Sequence, residues 1–383
     1  MKTFISATAI FIIAAFLISC SGESEREDEH RVVDNKNKIS YAKRFAIHRT
    51  DSCTIVRILN PWQGADNVEN IYYLVKRGYN ISVPDTSSVI YVPVQKIVCM
   101  STTHLAMIKS IGAEHSIKGV SGSEFIYDSI LSRNARDGII KDVGYESSLN
   151  NELILNIKPD IVMIYGIGSE SLGYVGKLRE LGVKVMFNAD YLETNPLGKA
   201  EWIKLFGSLY CKEAMSDSIF ESVTDLYLQY KNEITGNDRY RPKVMLGLPF
   251  RDTWYISPGN SYISTLINDA GGEYLWGKSI SAVSMPYGLE SVYLRSLEAD
   301  YWLNTGSAVS KRQIPIIDSR LASIPAFIKG NLYNNNKRLS STGGNDYWES
   351  GTINPHLILK DIAAILHPEL YVDHELYYYR KIE

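Results

Sequence analysis

Few residues in this chain have the spacing of a reactive centre. Gly272-Glu273-Tyr274-Leu275-Trp276-Gly277-Lys278-Ser279 satisfies the phosphate-loop pattern GxxxxGK[ST]. That chemistry needs a buried strand before the loop, a small flexible loop, and a following helix whose N-terminus faces phosphate. Here Ile263 to Ala270 reads as a helix, Tyr-Leu-Trp crowds the loop, and Ser281 to Pro286 is a poor helix. Nucleotide binding is not expected. The sequence contains no HExxH, no GxSxG and no close carboxylate–histidine set. His30, His48, His104, His115, His356, His367 and His374 lack metal-site spacing, so no metal ligands are assigned. Cys53, Cys99 and Cys211 are too widely spaced for a disulfide framework or a metal signature. Cys99, inside Ile97-Val98-Cys99-Met100, reads as a small buried hydrophobe. With no catalytic group evident, the remaining chemistry is binding. His104 follows a strand in Ser101-Thr102-Thr103-His104 and could touch a ligand, although a capping or hydrogen-bonded histidine is the commoner use of such a residue. Arg251, in Phe250-Arg251-Asp252-Thr253-Trp254-Tyr255, suits anionic groups.

The elements that must position these residues have a βα rhythm. Strands are expected at Lys96 to Met100, Ile117 to Val120, Ile161 to Tyr165 and Val183 to Phe187, with helices at Thr103 to Ser110, Glu152 to Asn156 and Leu172 to Leu181. Such alternation indicates a parallel sheet, whose ligands collect at the carboxyl ends of the strands. Before it, residues 41–94 hold short β-like runs, Cys53 to Leu59 and Val89 to Val94, broken by Pro61, Pro84 and Pro93. From Leu197 to Ile234 the rhythm stops. Trp202, Leu205, Phe206, Leu209, Ile219, Val223, Leu226 and Leu228 recur at mostly helical spacing. One unbroken helix there would span roughly 50 Å and could cross between two lobes. A second α/β set follows, at Lys243 to Leu248, Tyr262 to Ala270, Tyr301 to Asn304, Ile314 to Asp318 and Pro355 to Leu366.

The 383 residues are 45% apolar with a net charge of −3, which excludes general disorder and gives no support for nucleic acid as a partner. Tyrosine outnumbers phenylalanine 26 to 10, pointing to half-wet surfaces where a ring needs a polar end. Lys2 followed by the apolar run Phe4 to Ile18 reads as a secretory signal. Its end, Leu17-Ile18-Ser19-Cys20, resembles a bacterial lipobox, which implies cleavage before Cys20 and its acylation. Five acids in the seven residues from Glu23 read as a solvated tether, or as the surface-export signal seen in some Bacteroidetes lipoproteins. The expected organisation is a signal at 1–20, a tether at 21–40, an N-terminal α/β lobe at 41–196 with a β-rich extension at 41–94, an inter-lobe helix at 197–236, and a C-terminal α/β lobe at 237–383.

From about Val94 to Leu370 the chain resembles the class III substrate-binding proteins of ABC importers, which carry iron–siderophore complexes, haem or cobalamin. The strongest piece runs from Leu149 to Asp160 and is similar to the family pattern N-x-E-x-(I/L)-x-x-(L/I)-K-P-D, carried by Asn150, Glu152, Ile154, Ile157, Lys158, Pro159 and Asp160. Ile111-Gly112-Ala113, Asp269-Ala270-Gly271-Gly272, Leu289-Glu290-Ser291-Val292, Ala299-Asp300 and Lys329-Gly330-Asn331-Leu332-Tyr333 follow in the family's order. The tail through Asp346-Tyr347-Trp348-Glu349 looks like a Bacteroidetes branch. The resemblance implies two Rossmann-like lobes joined by one long helix, no catalysis, no resident cofactor, and an iron complex or corrinoid as cargo. It implies that Glu152 and Glu290 dock arginines of a permease that works with its ATPase. It places Tyr145 and Tyr165 as aromatic platforms, Phe125, Tyr127 and Tyr191 in analogous loops, and Asp346 and Trp348 at a cleft-facing D-x-W. His104 could then ligate haem iron, and Arg251 with Trp254 would line the second lobe. A monomer held on a membrane by its lipid is expected in the cell envelope. A surface chelatase, or a scavenger that meets no permease, is the alternative.

Overall fold

From Ile97 onward, short runs of Val, Ile, Met and Leu buried on both faces alternate with helical segments, the pattern that winds parallel sheets between helices. The computed structural model describes residues 39–145, 148–166, 172–235 and 239–383. Cys20, the signal and nearly all of the tether lie outside the described residues. The chain first forms a four-stranded sheet in sequential order, β1 (Phe45–Arg49), β2 (Thr54–Leu59), β3 (Glu69–Lys76) and β4 (Val89–Val92), antiparallel except for β3–β4. β1 and β3 have no counterpart among the strands expected from sequence.

The N-terminal lobe follows as β5 (Ile97–Cys99), α1 (Thr102–Ser110), β6 (Ile117–Val120), α2 (Ser129–Arg136), β7 (Lys141–Asp142), α3 (Asn151–Ile157), β8 (Ile161–Ile164), α4 (Leu172–Glu180) and β9 (Val185–Phe187). Its sheet is parallel throughout, in the order β7-β6-β5-β8-β9. Helix starts are capped by the residues that sequence supplies: Ser101 Oγ accepts from Thr103 N, Asp128 from Ile130 and Leu131 N, and Asn150 from Leu153 N. Lys158, at φ +52°, ends α3 ahead of Pro159.

The expected single helix at 197–236 is three helices: α5 (Pro196–Glu201), α6 (Ile203–Leu209) and α7 (Glu213–Thr235). The break before α7 is local backbone geometry. Cys211 takes a left-handed φ of +53°, and Lys212 N turns back to Gly207 O. Lys212 Nζ then ties the turn to Ile111 O and Gly112 O at 2.7 and 2.9 Å. Apolar spacing carries no mark of such a turn, because Leu209 and Tyr210 on its near side are buried as helix residues would be. The 23 residues of α7, about 34 Å long, still cross between lobes. Near its start Ser216 packs on Gly207, and near its end Tyr227 Oη donates to Asp269 Oδ2 at 2.8 Å while Lys231 pairs with Asp269.

The C-terminal lobe comprises β10 (Lys243–Leu246), β11 (Thr253–Ile256), α8 (Tyr262–Asp269), β12 (Glu273–Tyr274), β13 (Met285–Gly288), α9 (Leu289–Ser296), β14 (Tyr301–Leu303), α10 (Ile314–Ile317), α11 (Pro325–Ile328), β15 (Leu332–Asn334), α12 (Asp346–Glu349), α13 (Pro355–Leu366) and β16 (Arg380–Lys381). Its sheet has the order β12-β10-β14-β15-β16, parallel except at β15–β16, and β11 and β13 pair as a separate antiparallel arm. The GxxxxGK[ST] segment has helix α8 before it, and its Lys278 lies in a turn and Ser279 in irregular chain rather than at a helix start. No helix among the described residues is long and apolar enough to cross a membrane.

Candidate functional site

Among the described residues, loops from the two lobes meet at several places, two of which the strand order puts at opposite ends of the N-terminal sheet. At the β6–β7 end, the Glu349 carboxylate of α12 accepts hydrogen bonds from Tyr127 N at 2.7 Å and Asp128 N at 3.0 Å. A Cβ on Gly344 would lie 2.6 Å from Phe125 O, so this crossing requires glycine. Arg338 completes the contact: it pairs with Asp346 at 2.5 Å and lies over the rings of Tyr127 and Tyr377, 5.2 and 4.3 Å from their centroids. Tyr127, Arg338, Lys337 and Tyr377 line a pocket of about 380 Å³ there. At the β8–β9 end, Gln63 Nε2 of the extension donates to Ala282 O of the C-terminal lobe at 3.2 Å. Elsewhere between the lobes, Thr352 Oγ1 donates to the buried Asp190 carboxylate at 3.1 Å, and burial pushes that carboxyl above its ordinary range.

Several of the residues expected to bind ligand fall together. Phe125 and Tyr145 are 48% and 44% exposed, and both stand over Gly122, whose missing Cβ would sit 3.0 Å from each side chain. Tyr145 Oη donates to the Glu124 carboxylate, which pushes its phenol up to about 12. Tyr165 and Tyr191, half-buried beyond β8 and β9, meet edge to face at 6.3 Å, and Tyr191 Oη donates to Gly166 O. Arg251 tops a tight turn after β10, closed by Phe250 and Thr253 backbone bonds, with its guanidinium over the exposed Phe250 ring. Trp348 is exposed and packs edge-on to Tyr347 at 4.7 Å. Asn304 Oδ1 and Thr305 Oγ1, at the carboxyl end of β14, are buried polar atoms with no hydrogen-bond partner.

Other expected ligand contacts lie elsewhere. His104 is fully buried, one turn into α1, with its ring 6.4 Å from Phe206. Neither ring nitrogen has a partner, and burial pushes the imidazole down to about 3, so it is neutral. Its place on the helix turns residue 104 toward α6. Trp254 is in the C-terminal core, donating Nε1 to Leu246 O at 3.0 Å and packing on Trp302; strand alternation exposes Tyr255 in its place. Asp346 is buried and acts by holding Arg338. Glu152 and Glu290 occupy the first turns of α3 and α9, both exposed, with Glu290 3.6 Å from Arg320. Of the residues in these contacts, sequence reasoning missed Arg338, Glu349 and Gln63. Glu349, three positions after Asp346, was the one with a visible signal.

The model of the family described as Periplasmic binding protein matches residues 97–338. An uncharacterized lipoprotein of Methanocaldococcus jannaschii is 26% identical over 306 residues, covering 78% of this chain and 71% of that one. A periplasmic heme binding protein from Pseudomonas aeruginosa aligns at TM-score 0.55 and 17% identity, over 72% of this chain and 93% of its own. A protein of an ABC-type Fe3+-hydroxamate transport system from Saccharomonospora viridis aligns at TM-score 0.52 and 15% identity, over 72% and 94%. Both structural likenesses carry the two-lobed α/β fold. With the family match spanning most of the chain, this chain belongs to the periplasmic binding proteins of class III, substrate-binding proteins of transporters.

Proposed function

We propose that the chain is a lipid-anchored substrate-binding protein of an ABC importer. It holds an iron complex, a siderophore or haem, between its lobes and delivers it to the permease. The observation that carries this reading is the composition of the cleft wall. Phe125 and Tyr145 offer an exposed aromatic pair over Gly122, and exposed Arg251 would supply a cation for the carboxylates or propionates of such cargo, the Arg338 charge being already matched by Asp346. The same wall suits a corrinoid, which is the second cargo to test. Exposed Glu152 and Glu290, each at a helix start, support docking to permease arginines. Lipidation at Cys20 would keep the protein in the cell envelope. A demetallating activity would need a base in the cleft, and His104, the residue offered for it, is inside the lobe. Absorption titration of the chain in detergent against haem, a ferric hydroxamate and cobalamin tests the reading. Saturable one-to-one binding of haem or the ferric complex is expected; binding of cobalamin alone would change the cargo, and binding of none would reject the proposal.

A further inference from the structure

The family match begins at residue 97, so the sheet β1–β4 lies wholly outside it. This added sheet is fixed to the lobe by two carboxylates. Glu201 accepts the backbone N–H groups of Ser40, Tyr41 and Ala42, and Glu193 accepts those of Lys43 and Arg44. Its β2–β3 connection is pre-shaped. Asn60 and Val68 close the neck with Asn60 N to Val68 O at 2.7 Å and Val68 N to Asn60 Oδ1 at 2.9 Å, and Ala65 N folds back to Trp62 O. The apex residue Trp62 bridges in parallel to Gly166, at the carboxyl end of β8, and its half-buried ring is 5.5 Å from Phe187 at the end of β9. A Cβ on residue 166 would sit 3.0 Å from Trp62 Cβ, so any larger residue there would push the indole by a few tenths of an ångström. In a parallel α/β sheet that is where ligands collect. The neighbouring Gln63 spans to Ala282 of the other lobe.

We infer that the Trp62–Gln63 loop is a wall of the binding cleft, with the Trp62 indole packing on the planar or aromatic part of a bound metal chelate and the Gln63–Ala282 hydrogen bond clasping the lobes over it. The inference rests on the cleft being a chelate site. The opposite end is already closed by Glu349 and Tyr127, so this loop decides how a bound molecule leaves. The half-buried indole offers a large rigid surface at low entropic cost. The carboxylate-pinned sheet holds it in place before cargo arrives.

The test measures equilibrium affinity and dissociation rate of haem and of ferrichrome for the full chain in detergent. The variants are Trp62→Ala, Trp62→Phe, Gln63→Glu and, as a control at the far end of β3, Tyr79→Ala. Trp62→Ala should weaken the bound chelate about tenfold or more, with Trp62→Phe recovering part of the loss. Gln63→Glu, which keeps the size but removes the donor, should speed dissociation about threefold to tenfold. Tyr79→Ala should match wild type. Circular dichroism confirms that each variant is folded, and Trp62→Phe keeps the test open if Trp62→Ala is not. Wild-type binding with unchanged constants in both Trp62 variants and Gln63→Glu would overturn this inference while the transport reading stands. No binding by wild type would overturn both.

Discussion

Replacing Glu349 by glutamine should remove a pH dependence from the stability of the protein. Glu349 is 3% exposed and holds Tyr127 N and Asp128 N across the lobes. Burial pushes its carboxyl from the ordinary 4.5 up to about 7, with Asp346 and Asp128 adding to the push and the two backbone N–H bonds opposing it. Asp346 is itself paired with Arg338, and Asp128 with Lys109. The sign follows from the protonated form being favoured in the fold. Its contribution is fully present below about pH 4.5 and is lost as pH rises through about 7. Between pH 5 and pH 8 that amounts to about 2 to 3 kcal/mol at 1.36 kcal/mol per pH unit, a sizeable part of the about 5–15 kcal/mol that holds a typical domain folded. Glutamine cannot ionise; because Tyr127 N and Asp128 N reach different carboxylate oxygens, it keeps an acceptor for only one of them, a loss that offsets the variant equally at every pH. Urea unfolding of both proteins at pH 5, 6, 7 and 8 reads the difference directly. The stability gap should move in the variant's favour by about 2 to 3 kcal/mol from pH 5 to pH 8. Parallel curves across that range would refute the argument, because a carboxylate that stays ionised at both ends has no reason to bend one curve and not the other.

Two further outcomes follow from particular side chains. His104, buried without partners and pushed from 6.5 down to about 3, gives stability that is present above pH 6.5 and lost as pH falls toward 3. His104→Leu should therefore gain about 2 kcal/mol on wild type between pH 8 and pH 5 in thermal or urea unfolding, and should leave haem titration unchanged; a lost Soret shift would return His104 to the cleft. Charge reversal of Glu152 and Glu290 together, each to Lys, should leave cargo affinity as it was and abolish uptake in cells that depend on this protein. Unchanged uptake would instead favour a scavenger that meets no permease.

The βα order was legible because its signals are local. Buried runs such as Ile161–Ile164, caps such as Asn150, and stops such as Lys158-Pro159 each act within a few residues. The family motif around Glu152 was legible for the same reason. The helix 197–236 was misread because apolar spacing runs through the turn at Cys211, where only the backbone changes hand. His104 and Trp254 were misplaced because residue type marks chemistry while orientation decides access. Helix phase turns one inward, and strand alternation turns the other.

The amino-acid order by itself therefore determined the two α/β lobes, the place of the crossing segment, and the helix starts that present Glu152 and Glu290. The tertiary structure alone decided which side chains are buried and which groups of the two lobes meet. Glu349 with Tyr127 and Gln63 with Ala282 are pairs 222 and 219 residues apart, and in each the partner is a backbone group. A backbone N–H or C=O is the same at nearly every residue, so no local pattern names the one a side chain will reach. That choice is made only when the packed lobes bring one such group within hydrogen-bond distance.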